Sequence, residues 1–343
     1  MISIECIKGL PLQYESFLKE KYDSYITTCR YVEVYYPTYD IHYMLVYEDG
    51  VLIDLLIFGN GGQISRCLNS LVVIGQNVID ACIKKVFEIY PTIKKVIIDA
   101  SYNCYALRKS VLSFLSDNYI LELPASMDEY YASLGSSTRQ TIKNRRVRLL
   151  RDYPDAKFVA KFGTEIDEVI VDKIIHLNIE RLKLKGRIPR IDNVYKENLY
   201  KYSQYYGFAV YLEINGEIVA GNISTILNKG VFGRITAYNN SYSKYNVGEL
   251  CAFLAIQMSI ERGLTNFHFL WGESDLKKRL LAKRHMLFSY IVYRTYSIGL
   301  IVSSLKALCL RVLKSIRESR YSKPIINAIK FYHRRKFRQQ LSR

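Results

Sequence analysis

FAVYLEINGEIVAGNISTILNKGVFGRITAYN, residues 208 to 239, decides the fold class. Three runs rich in β-branched and aromatic residues are separated by Asn215-Gly216 and by Asn228-Lys229-Gly230. Asn-Gly between such runs is the strongest short-range hairpin signal, because both turn positions need positive φ. The stretch therefore predicts three consecutive antiparallel strands. A loop, SYSKYNVG, then leads into ELCAFLAIQMSIERG, a helix closed by Gly263, and TNFHFLWG follows as a strand. Upstream, EVIVDKIIHLNIERLKLKG is an amphipathic helix ended by Gly186.

The same order occurs earlier. YMLVYEDGVLIDLLIF reads as strand, Asp49-Gly50 turn, strand; VIDACIKKVFEIY is a helical pattern and KKVIIDA a short buried strand. Asp49-Gly50 corresponds to Asn215-Gly216, and each helix and following strand has its counterpart. Hairpin, helix, strand twice over predicts an α/β chain with a mixed sheet and two structurally duplicated halves. We place these halves at 1–120 and 121–295. Residues 296–343 form a separate tail.

The chain has 343 residues, enough for two such units, with ordinary globular composition. Its start, MISIECIKGL, lacks the pattern of a secretory signal, so a cytoplasmic location is expected. Seven irregularly spaced cysteines exclude a complete intrachain disulfide framework and contain no CxxC pair. No HExxH or paired His-carboxylate spacing appears, so no metal site is expected.

The formal charge of +17 calls for an anionic partner, or else serves solubility. It is concentrated at Arg139–Arg151, at Lys277–Arg284 and in the tail. From residue 306 to 343 twelve Lys or Arg stand against the single acid Glu318. Ile301, Leu305, Leu308, Val312 and Ile316 form an apolar stripe at helical spacing. A basic amphipathic segment of this kind suits the anionic face of a membrane, and equally a helix docked on the protein's own core.

Three segments suggest chemistry. The loop Asn246-Val247-Gly248 opens directly into a helix at Glu249, whose first N–H groups and dipole favour an anion such as a pyrophosphate. Gly248 would let that backbone approach phosphates closely, or simply ease a tight turn. Next, FHFLWGESDLKKRLL delivers Trp271-Gly272 and then Glu273 and Lys277 from a strand end. Glu273 is the candidate general base, its pKa expected to rise if buried beside Trp271; Lys277 is a candidate phosphate or substrate anchor. Finally, Arg139, Lys143 and Arg146 share one helix face, with Arg145 beside them, in a position to hold a phosphate or glycan carboxylate. A solvated basic helix has the same pattern.

On these motifs the second half resembles the BcsL/CelD-type acetyltransferase domain of the GNAT superfamily, related to the Fem-type peptidyltransferases. LELPASMDEYYASLGSSTRQTIKNRRVRLL is similar to that family's opening segment. AYNNSYSKYNVGELCAFLAIQMSIERG is similar to its strand, loop and acyl-CoA-carrying helix, and FHFLWGESDLKKRL to its closing motif. The family's Ser-Pro-Gly is Asn246-Val247-Gly248 here, its strand Asp is His268 and its Tyr is Leu276, while Gly248, Gly272, Glu273 and Lys277 remain. The resemblance implies an acyltransferase that uses acetyl-CoA or another acyl-CoA on an amine or hydroxyl of a sugar or glycan precursor. It implies a donor site at Asn246, Val247, Gly248 and Glu249, catalytic roles for Glu273 and Lys277, and substrate contacts from Arg139, Arg145, Tyr238 and Trp271. Two alternatives stay open: a Fem-type transferase drawing on aminoacyl-tRNA, and an inactive GNAT-fold scaffold at the membrane.

Overall fold

The computed structural model describes residues 2–189, 191–305 and 307–308. One mixed sheet of twelve strands organises them. The first half contributes β1 (Ile2–Lys8), β2 (Asp40–Glu48), β3 (Val51–Gly61), β4 (Ile64–Cys67), β5 (Lys95–Ser101) and β6 (Ser110–Glu122). The second contributes β7 (Lys157–Phe162), β8 (Gly207–Ile214), β9 (Glu217–Leu227), β10 (Gly230–Tyr238), β11 (Asn266–Trp271) and β12 (Lys283–Tyr293). Their spatial order is β1-β2-β3-β4-β5-β12-β6-β11-β10-β9-β8-β7.

The expected duplication is explicit in this order. Strands β1 to β4 are successively antiparallel, and β4 pairs with β5 in parallel; β7 to β10 and β11 repeat the arrangement. A parallel pair needs a crossover. The helices α3 (Gln76–Ile89) and α8 (Val247–Glu261) supply it in the two halves. Between the first two strands of each half lies a helix pair: α1 (Glu15–Tyr22) with α2 (Cys29–Tyr35), and α6 (Glu168–Leu184) with α7 (Asn193–Tyr206). At the centre β6 pairs with β11, and β12 pairs with both β5 and β6. Each half thus lends its last strand to the other half's parallel pair, which makes the sheet continuous.

Local chemistry explains the turns. Asp49 and Gly50 have φ of 49° and 83°, and Asn215 and Gly216 have 52° and 77°, the double positive φ of a tight hairpin. Two helices, α4 (Met127–Ser133) and α5 (Ser136–Asp152), join the halves. Ser126 caps α4 by accepting from the Glu129 N–H.

The second half buries both sheet faces. Phe208, Val210 and Leu212 pack with α4, α5 and α8, while Ala209 and Tyr211 pack with α6 and α7 on the other side. A further apolar cluster, including Tyr25, Ile26, Tyr202, Phe232 and Leu287, joins the halves on the α7 side. There the Tyr202 hydroxyl donates to Tyr25 O at 3.0 Å. Residues 298–305 are helical, and Leu300 N–H is capped by Ser297 Oγ at 3.3 Å. Lys306 and the tail from residue 309 onward, Val312 and Ile316 included, lie outside the described residues.

Candidate active site

The site arises where β10 and β11 part. Their parallel ladder runs only from Gly230–Asn266 to Phe232–His268. Beyond it β10 carries a bulge between Gly233 and Ile235, and β11 is irregular between His268 and Trp271. Leu270 there has φ of 50°. Bulges bend the strand that carries them, and the β10–β11 ladder is not continued beyond these irregularities. A cavity of about 580 Å³ opens between them. Because α8 lies on one sheet face and α6 on the other, this opening is reached by both.

On the α8 side the cavity is walled by Tyr238, Asn246, Gly248 and Glu249. Asn246 has left-handed φ and ψ of 49° and 45°, and its carbonyl accepts from the N–H groups of Glu249 and Leu250. The N–H groups of Val247 and Gly248, at the very start of α8, precede any intrahelical acceptor. Gly248 has a packing reason to be glycine as well: a Cβ on it would lie 2.6 Å from Tyr238 Cδ1. Val247 is wholly buried in the core under the helix start rather than in the cavity wall.

Glu249 is nearly sealed, and its carboxylate accepts from Arg145 Nη1 at 2.7 Å and lies 3.1 Å from Arg279 Nη2. Arg145 therefore meets the site indirectly, as the ion-pair partner that neutralises this buried acid. Arg139 is not brought to the cavity. Its Nη1 donates to Ala132 O at 2.9 Å and Leu134 O at 2.7 Å, which commits the guanidinium to the C-terminal carbonyls of α4.

At the mouth, Trp271, Glu273 and Lys277 line the same cavity. The upward pKa shift expected for Glu273 does not occur. Trp271 is itself 48% exposed and buries little. Glu273 is ion-paired with Lys278, which lowers its pKa below the usual carboxylate range. Lys277 stands on α9 (Asp275–Arg279), and its Nζ donates to Leu270 O at 2.9 Å, Trp271 O at 3.0 Å and Gly272 O at 2.6 Å. Burial lowers its ammonium to about 8, a shift that the charge of Asp117 opposes, and three carbonyls accept all three of its protons. Lys277 thereby fixes the irregular end of β11.

His268, which stands where the resemblance called for Asp, is partly buried and does not line the cavity. Its ring stacks on Phe232 at 4.4 Å, and Nδ1 lies 3.1 Å from Asn118 Nδ2. Burial, then the charge of His285, lowers it to about 4, so it is a neutral packing group near pH 7. On the α6 side the lining includes Asn178, Arg181, Lys185, Arg187 and Arg234, which the sequence reading did not single out. For Arg234 a signal existed: it is the one charge in the apolar strand GVFGRITAY. No group of ligands able to hold a metal ion occurs among the described residues.

Comparison with known proteins places this geometry. Residues 136–278, which carry α5, α6, the β8–β10 meander, α8 and β11, match the family described as acetyltransferase (GNAT) domain. The enzyme class that follows is a transferase. The structure is similar to FemX, at 10% identity and a TM-score of 0.62, over 84% of this chain and 97% of that one. It is also similar to a conserved protein of unknown function from Bacteroides thetaiotaomicron, at 13% identity and a TM-score of 0.52, over 86% of this chain and 100% of that one. A tandem GNAT protein from the clavulanic acid biosynthesis pathway aligns at 10% identity and a TM-score of 0.49, over 86% and 100%. These likenesses concern the fold. No curated protein sequence matches the chain.

Proposed function

We propose that this GNAT-fold transferase, of the BcsL/CelD type, moves an acyl group from acetyl-CoA or another acyl-CoA to an amine or hydroxyl of a cell-envelope sugar precursor. The observation that supports the reading most is the parting of β10 and β11 beside the start of α8, inside the GNAT-matching segment. The unpaired N–H groups of Val247 and Gly248 suit a donor phosphate. In the transfer, the acceptor attacks the thioester carbonyl, the new C–N or C–O bond forms, the C–S bond breaks, and the acceptor's proton leaves. Glu273 is the acid at the mouth available to take that proton, and its low pKa makes it a weak base. Orientation within the cleft therefore carries much of the rate.

Isothermal titration with acetyl-CoA and a panel of longer acyl-CoAs tests the donor assignment. Binding by the wild type that Gly248→Trp abolishes is expected. Failure with the whole panel would move the reading to an aminoacyl-tRNA donor, whose affinity would fall steeply with salt, or to an inactive scaffold.

We also place the tail on an anionic membrane surface. No helix among the described residues is long and apolar enough to cross a membrane. Ile301, Leu305 and Leu308 are exposed at helical spacing, and the basic residues follow. Co-sedimentation with phosphatidylglycerol vesicles, lost on truncation after Arg294, is the expected result.

A further inference from the structure

The α6 side of the cavity holds cations that have no acid. Arg234 sits on the β10 bulge, and the N-terminal half surrounds its guanidinium with tyrosine rings: Tyr25 at 4.7 Å, Tyr35 at 5.4 Å and Tyr31 at 5.9 Å. Nη2 donates to the Tyr35 hydroxyl at 2.9 Å, whereas Nη1 is sealed from solvent with no acceptor. Arg181, near the end of α6, has a second such nitrogen, Nε, and its guanidinium lies 5.7 Å from the Tyr238 ring. Lys185 and Arg187 line the same wall. Among the described residues none of these four is in an ion pair, and the two acids that line the cavity are already occupied, Glu249 by Arg145 and Arg279 and Glu273 by Lys278.

A buried guanidinium without a carboxylate is costly, and aromatic faces offset only part of that cost. Cations at a helix C-terminus are favoured by the dipole, which accounts for Lys185 and Arg187. It does not account for Arg234, which is on a strand, nor for the sealed Nε of Arg181. Crowding is visible at Lys185, whose ammonium is lowered by burial and then by Arg181 and Arg187. An excess of several positive charges facing one cavity matches a group of two or more negative charges better than a single carboxylate.

The geometry points to a phosphate-binding subsite on the α6 side of the cavity, built on Arg234 and Arg181, that selects an acceptor bearing a phosphoryl group. The N-terminal half, through Tyr25, Tyr31 and Tyr35, is the holder of Arg234 and so a contributor to acceptor choice. The inference relies on the acyl-transfer reading only for naming the ligand an acceptor. The subsite itself is argued from Arg234 and Arg181, which line the same cavity as the start of α8.

Inorganic pyrophosphate is the probe, titrated calorimetrically into the full chain with and without saturating coenzyme A, with acetate as the carboxylate comparison. The expected result is pyrophosphate binding that persists with coenzyme A bound. Arg234→Met and Arg181→Met should each weaken it about 10- to 100-fold, and Arg234→Lys should restore most of it. Circular dichroism checks that the variants fold; Arg181→Met, at the end of a surface helix, keeps the test alive if Arg234→Met does not. Absence of pyrophosphate binding, its displacement by coenzyme A, unchanged affinity in the folded variants, or acetate binding as tightly would each overturn the subsite. Coenzyme A titrated alone reports separately on the donor site, so failure of one assignment is distinguishable from failure of the other.

Discussion

Replacing Gly248 by alanine separates two physical reasons for a glycine at the start of α8. The added Cβ would lie 2.6, 3.2 and 3.3 Å from Cδ1, Cε1 and Cγ of Tyr238. Carbon atoms prefer about 3.5–4.0 Å, so the ring must retreat by roughly 1 Å. Overpacking of this size costs about 1–3 kcal/mol. Alanine in a helix returns up to about 1 kcal/mol relative to glycine. The net expectation is a loss of up to about 2 kcal/mol. All three close atoms belong to one side chain, so the loss should vanish when that side chain is shortened. In a Tyr238→Ala background, Gly248→Ala should become neutral or stabilising by up to about 1 kcal/mol. Urea unfolding of the four proteins, with m-values checked for constancy, measures this coupling. A penalty that persists without the Tyr238 ring would refute the packing argument and return Gly248 to a role in backbone approach to a ligand.

Three further outcomes follow from the site. The unfolded chain's histidine titrates near 6.5, and His268 is lowered to about 4 in the fold, so its contribution is complete above pH 6.5 and is lost as pH falls toward 4. The loss amounts to about 3 kcal/mol at most, and His268→Gln should flatten the pH dependence of the urea midpoint across that window; parallel curves for the two proteins would count against it. Lys277→Met should destabilise by about 1–3 kcal/mol, because three carbonyls lose their donor, while the exposed Glu273→Gln should stay within about 0.5 kcal/mol; equal effects would remove the distinction drawn between them. Tyr35→Phe takes away the acceptor of Arg234 Nη2 and should cost about 1–3 kcal/mol in thermal or urea unfolding, with no cost if the rings alone hold the guanidinium.

The hairpin turns and the duplicated order were legible because their signals are local. Asn215-Gly216 and Asp49-Gly50 need positive φ wherever they stand, and α8 announces itself by a closing glycine and an apolar run. Tyr238, Asn246, Gly248, Glu249, Trp271, Glu273 and Lys277 line one opening because they occupy the ends of elements that flank it. Their electrostatics were not legible. Whether Glu273 is buried depends on how far Trp271 covers it, and whether Arg145 is free depends on Glu249, 104 residues away. The exchange of β6 and β12 was equally hidden. Strand propensity and turn chemistry say that a strand forms, but not which of several edges it joins, and here β12 pairs across about 170 residues with β6. The sequence by itself determined two copies of one α/β unit and the ends at which a cleft forms. Only the tertiary structure decided that the copies fuse into one sheet and that the first copy's tyrosines enclose the second copy's Arg234, because those contacts join side chains with no local pattern in common.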